Sequence, residues 1–290
     1  KSCAKEHRGK RPSTQSIDRI VLSIRKIEKH RHHGGNEKIM TDPIKKRSSW
    51  RLRSVRLVAI IIGLMLWHLT QSMIGQRDVK DTGATSAIVD QAHVLTGDWN
   101  AYLNQNEKAA NTLLIVSTAL IDLIGIWLLA NAIFGKSIRP FLALLILFAA
   151  RQVCQYFCAL PLPDGIIWSD PGMPSLLITY GVANDFFFSG HTGIAVFGAI
   201  ELARRFGRTG AVIGVGIAIF EIVTVLTLRA HYTMDIVTGA ALAGLAALAA
   251  TRMAGWCDGK LERVAGTDPT ANPDNAAPPE SAALRQTPYS

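Results

Sequence analysis

Two short stretches carry side chains able to do chemistry. In "FFFSGHTGIAVF", Phe186–Phe197, a serine, a glycine, a histidine and a threonine interrupt an apolar run. Ser189 is placed to cap a helix, Gly190 allows close backbone approach, and His191 falls in the first turn. A helix N-terminus offers unpaired N–H groups and a partial positive charge, which suits a phosphate. His191 is placed to give such a ligand a proton. Forty residues on, "LRAHYTMDIV" sets His231 and Asp235 four apart, on one side of a helix. A carboxylate beside an imidazole fixes its tautomer and favours the imidazolium. Arg229 stands nearby as a phosphate ligand.

Each stretch alone has a plainer reading: a capped helix with an interfacial histidine, or a His-x-x-x-Asp pair of the kind common on helices. Both together, at two helix starts, favour a site. A Ser-His-Asp hydrolase is an alternative, but a serine that caps a helix is engaged with backbone. A metal centre is disfavoured, because no further His, Cys or carboxylate cluster supplies the remaining ligands.

The elements that must position these residues read as membrane spans. Of the 290 residues, 49% are hydrophobic, and they fall in runs near the ~20 residues that cross a bilayer. Candidate spans are Val55–Gly75, Thr112–Phe134, Pro140–Leu160, Gly190–Phe206, Thr209–Leu228 and Tyr232–Met253. Six such runs separated by polar loops argue against a soluble bundle. The expectation is an all-α polytopic integral membrane protein of six helices.

Charge sets the orientation. The formal net charge is +9, concentrated before residue 57. A basic arm of that kind suits nucleic acid or a membrane flank, and the apolar runs favour the flank. "KKRSSWRLRSVR" places the N-terminus in the cytoplasm, and alternation then puts Lys136, Arg139, Arg204, Arg205, Arg208, Arg252 and Lys260 on the same side. The outer loops hold Arg77, Lys80 and Lys108 against Asp78, Asp81, Asp90, Asp98 and Glu107. Both termini are therefore expected inside, with the two histidine stretches on the periplasmic, extracellular or lumenal face.

The domain reading is a basic arm over 1–39, a cytoplasmic flank over 40–54, a membrane catalytic domain over 55–253 and a disordered tail over 254–290. "MTDPIKKRSSW" from Met40 looks like a natural start, so 1–39 reads as translated upstream sequence or as a membrane-surface arm. The four cysteines imply no disulfide framework, and Cys154 and Cys158 share a helix face as packing residues. Arg151, Asp122 and Glu221 fall inside spans, where charges face partners or cavities; Arg151 and Glu221 are placed to pair.

"NDFFFSGHT" and "RAHYTMDIV" resemble the last two motifs of the sphingomyelin synthase family, within the type-2 phosphatidic acid phosphatase superfamily. "RQVCQYFCALPLP", Arg151–Pro163, resembles that family's segment ending Leu-Pro-x-Pro. The phosphatases of the superfamily carry Lys-x6-Arg-Pro, whereas Ala4 and Ala132 stand where that lysine belongs. Val225 replaces the arginine six residues before the second histidine. Both losses point to the synthase branch.

What the resemblance implies is head-group transfer through a phospho-histidine. His231 would be the nucleophile, Asp235 its orienting carboxylate and His191 the general acid. Ser189, Gly190, Thr192, Arg229, Tyr232, Arg151 and Asp185 would contact substrate, with Asp185 matching the aspartate before the family's Ser-Gly-His. The substrates would be a membrane phospholipid and a lipid alcohol such as ceramide, with no cofactor, metal or nucleic acid. A lipid phosphate phosphatase is the alternative activity, and a catalytically silent scaffold or transporter the alternative class.

Overall fold

A computed structural model describes residues 43–75, 88–172, 174–178, 180 and 187–267. Of two compact units, 1–45 and 46–290, the first falls almost wholly outside those residues. The expected arm over 1–39, the tail beyond 267, and the outer-loop charges Arg77, Asp78, Lys80 and Asp81 also lie outside them.

The described residues are all-helical, with no strand. In chain order the helices are α1 (Pro43–Gly75), α2 (Gln91–Leu95), α3 (Gly97–Gln105), α4 (Glu107–Phe134), α5 (Arg139–Phe157), α6 (Gly190–Thr227) and α7 (Thr233–Val264). Five of them, α1, α4, α5, α6 and α7, are long and apolar enough to cross a membrane. Their outward faces are apolar as well: Ile61, Ile62 and Leu66 of α1, Leu123 and Ile126 of α4, Val212 and Ile219 of α6, and Leu245 and Leu248 of α7 are all exposed. A surface facing water would not carry such apolar belts, and one facing lipid would. The protein has the form of a polytopic membrane protein.

Two expected spans, Gly190–Phe206 and Thr209–Leu228, fall within the single element α6. The chain breaks inside it at Gly207, whose φ of 60° and ψ of −137° are open only to glycine. The arms on either side lie against each other: Gly210 approaches Leu202, and Gly214 approaches Ala199 so closely that a Cβ there would sit 2.5 Å from the Ala199 Cα. Contacts that move apart in both directions from Gly207 describe an antiparallel hairpin. At its far end α7 runs on to Val264, so the stretch after 253 that was expected as tail is helical to that point.

Helix α7 is the packing centre. Its buried face reads Gly239, Ala243, Ala246, Ala247, Ala250 and Ala254, small residues at helical spacing that let neighbouring backbones come close. Leu144, Leu147 and Phe148 of α5 and Ile194, Ala195 and Phe197 of α6 join this core, with Ile121, Ile124 and Leu128 of α4 outside them. The intramembrane carboxylates each take a local donor. Asp122 accepts the Leu176 and Leu177 N–H groups at 2.9 and 3.1 Å and so ties a loop to α4. Glu221 accepts from the Ser117 hydroxyl at 2.5 Å, so the expected pairing with Arg151 does not form. Arg151 faces the start of α6 instead.

Candidate active site

The start of α6 follows the sequence closely. Ser189 is the N-cap, in extended backbone, and its Oγ accepts the Thr192 N–H at 3.3 Å. The Ser189 N–H in turn donates to the Asp235 carbonyl at 3.2 Å, which seats this helix start on the first turn of α7. Gly239 makes that approach feasible, since a Cβ there would lie 2.7 Å from the Ser189 carbonyl oxygen. His191 is 6% exposed and meets the Trp168 ring edge-on at 5.2 Å. Its Nε2 has no hydrogen-bond partner among the described residues.

His231 stands in the turn between α6 and α7. Its Nδ1 lies 3.5 Å from Asp235 Oδ2, within ion-pair reach and longer than a direct hydrogen bond. The same carboxylate oxygen accepts the Tyr232 N–H at 2.9 Å, closing the first turn of α7. Asp235 thus closes the helix start and sets its carboxylate beside the imidazole, whose Nδ1 has no hydrogen-bond partner among the described residues.

Five groups from other elements fix this turn. Asn100 of α3 donates to the Thr227 carbonyl at 2.9 Å, and the Ile167 N–H donates to the Leu228 carbonyl at 2.8 Å. Arg229, at φ 52°, reaches the Asp164 carbonyl at 2.5 Å. His93 of α2 lies with Nε2 2.9 Å from the His231 carbonyl oxygen, so that nitrogen carries the proton. Asp90, the N-cap of α2, accepts the Thr233 N–H at 2.6 Å and its hydroxyl at 2.7 Å. Burial by itself would raise the Asp90 pKa; hydrogen bonds from Thr233 and Ala92 outweigh it and hold the carboxyl below its ordinary range.

Gly190, His191, His231 and Arg151 line one cavity, walled by Trp67, Phe148, Trp168 and Ile194. It holds about 30 Å³, room for water and not for a lipid head group. Arg151 is 7% exposed; its Nε donates to the Phe188 carbonyl at 2.9 Å and its guanidinium packs against Gly190. A fixed cation and two imidazoles therefore face the same space.

Other expected substrate contacts lie elsewhere. Arg229 is turned to the 164–165 turn and does not line the cavity. Tyr232 points its hydroxyl to the Pro161 carbonyl at 3.2 Å and lines a separate, mostly apolar cleft with Asp90 and Phe187. Thr192 is fully buried behind the helix start. Asp185 lies outside the described residues. Sequence reading missed His93, Asp90 and Trp168. "VDQAH" does signal a capped helix start, but nothing in it announces a bond to a carbonyl 138 residues away.

A polytopic helical protein with a buried two-histidine site at the ends of α5, α6 and α7 is the class that fold and geometry define. The AtPDCT1/2 family model matches residues 89–255, over half the chain and all of the site from Asp90 to Asp235, and the protein belongs to that family. It is 22% identical over 156 residues to phosphatidylcholine:diacylglycerol cholinephosphotransferase 1 of Arabidopsis thaliana. That match covers 54% of this chain and 50% of the relative, so the chain spans about half the length of the curated relative it matches. No solved structure matches.

Proposed function

We propose that the protein moves a phospho-head group from a glycerophospholipid to the hydroxyl of a second lipid, through a phosphoramidate on His231. The observation that carries this reading is the convergence of His191, His231 and Arg151 on one cavity. The relative's name, a cholinephosphotransferase between phosphatidylcholine and diacylglycerol, supports phosphocholine as the group and diacylglycerol as the acceptor. Ceramide, the acceptor implied by the sphingomyelin synthase resemblance, is the other candidate.

In the first half-reaction His231 Nε2 attacks phosphorus, and the bond from phosphorus to the glycerol oxygen breaks. His191 gives its proton to that oxygen, and diacylglycerol departs. Asp235 stabilises the positive charge that builds on His231, while Arg151 and the N–H groups at the start of α6 face the phosphoryl oxygens. In the second half, His191, now neutral, takes the proton of the acceptor hydroxyl. The acceptor oxygen attacks phosphorus, the P–N bond breaks, and both histidines return to their starting states. Retention of one negative phosphoryl charge throughout suits a cavity to which the described residues bring Arg151 as the one Lys or Arg side chain. A dianionic phosphomonoester would want more cations.

The proposal includes six spans, the two arms of α6 crossing separately, with the site on the non-cytoplasmic face. The test is to incubate membranes containing the protein with head-group-labelled phosphatidylcholine and either diacylglycerol or ceramide. Label is expected in a new lipid. Rapid phosphate release from phosphatidic acid, with no labelled lipid formed, would replace this reading with the phosphatase.

A further inference from the structure

A second cavity, of about 680 Å³, lies where α4 ends, α5 begins and the first arm of α6 ends. The proposed chemistry makes no use of it. From Gly190 to Arg204 α6 rises ~20 Å at 1.5 Å per residue, so this cavity is at the opposite end of the helices from His191.

Its lining is strongly basic. Lys136, Arg139, Arg204 and Arg205 face one carboxylate, Glu201. Glu201 is 5% exposed and already committed: it accepts Arg139 through both nitrogens at 2.6 and 2.5 Å, and Arg204 at 3.3 Å. The buried carboxylate fixes two arginines in place and leaves four cations against one anion, an excess of three. Lys136 and Arg205 are exposed, with no carboxylate partner among the described residues.

The remaining wall is apolar and aromatic, with Trp127 and Phe134 among it. Trp127 lies 6.3 Å from the Phe206 ring, and Phe134 and Phe206 are exposed at the same end. Such rings beside cations mark the boundary between hydrocarbon and water. A cationic floor and an apolar wall together fit an amphiphile with an anionic head. A soluble anion would leave the wall unused, and a zwitterionic head group would bring its own cation against the arginines.

We propose that this cavity binds the phosphate of an anionic membrane lipid, with Arg139 and Arg204 as fixed ligands and Lys136 and Arg205 closing over the head group. The inference stands apart from the proposed activity. Its test uses the purified full chain in neutral detergent, with short-chain phosphatidic acid, short-chain phosphatidylcholine and inorganic phosphate as probes. Binding is read by titration of the thermal midpoint and by native mass spectrometry. Phosphatidic acid is expected to saturate, and to weaken at least tenfold in the Lys136→Ala/Arg205→Ala double variant and on raising salt. Arg208→Ala, a nearby cation outside the cavity, should leave it unchanged, and phosphatidylcholine should respond equally in wild type and double variant. Inorganic phosphate binding as tightly as the lipid, and lost in the same variant, would overturn the lipid assignment in favour of free phosphate. Equal phosphatidic acid binding by wild type and double variant would overturn the site.

Discussion

At the residue scale, the proposed chemistry rests on few side chains with separable roles. His231→Ala should abolish transfer, since the proposed nucleophile is gone. His191→Ala should lower turnover by roughly a hundredfold or more, the usual worth of a general acid. Asp235→Asn should also be severe, because the imidazole loses its charge partner at 3.5 Å. Arg151 gives the sharper test. Arg151→Lys keeps the cation but loses the Nε bond to the Phe188 carbonyl, and about a tenfold loss of transfer is expected. Arg151→Ala should cost about a hundredfold. Initial rates on labelled phosphatidylcholine decide each case. The placement of the two histidines and Asp235 at helix starts was legible in the sequence, because capping residues and spacing dictate that geometry. Arg229 was misread because its backbone, at φ 52°, sends the side chain to Asp164, and side-chain direction at such a turn is set by contacts from a distant loop. Arg151 was expected to pair with Glu221 or to contact substrate, and it donates to the Phe188 carbonyl at the start of α6 rather than to Glu221.

At the scale of elements, α2 acts as a clamp on the turn that carries His231. It is five residues long and held by its cap, so its role comes from what it grips: the His231 carbonyl through His93, and Thr233 through Asp90. His93→Ala should lower kcat about tenfold with little change in KM for the donor lipid, since the contact positions the nucleophile and leaves the cavity wall intact. His93→Gln, which can still donate to the carbonyl, should recover much of the rate. Asp90→Ala removes a cap and two bonds to α7, and should destabilise the protein by about 1 kcal/mol near neutral pH. The folded-state pKa of Asp90 lies below its unfolded value, so its contribution is present above the ordinary carboxylate pKa, about 3.9, and is lost as pH falls through the lowered value. The stability gap between wild type and Asp90→Ala should therefore close in acid. Gly207→Ala forces a side chain into φ 60°, ψ −137°, and should destabilise the α6 hairpin by roughly 1–3 kcal/mol in thermal unfolding. The long helices could be read from apolar runs alone. The clamp could not, because α2 and α3 are short, and their bonds join residues far apart in sequence.

For the whole molecule, the sequence pattern conveyed an all-helical membrane protein, and the helices α1, α4, α5, α6 and α7 bear that out. The two arms of α6 carry the question of a sixth span, because the non-helical backbone at Gly207 separates them and turns one back along the other. Orientation is tested by accessibility. In a background lacking native cysteines, a cysteine at Asp170 should react with a membrane-impermeant reagent in intact cells and one at Arg205 should not; the reverse would place the site in the cytoplasm. The cavity beside His231 holds about 30 Å³, less than a lipid head group fills. The central claim is that the head group passes through His231, and the most direct measurement is capture of that adduct. Protein is mixed with phosphatidylcholine carrying a labelled phosphate, without acceptor, and quenched rapidly under alkaline denaturing conditions. The account predicts acid-labile, alkali-stable label on wild type, mapped to His231 by peptide mass spectrometry and absent from His231→Ala. Transfer that proceeds at full rate in His231→Ala, with no labelled protein at any time, would contradict it.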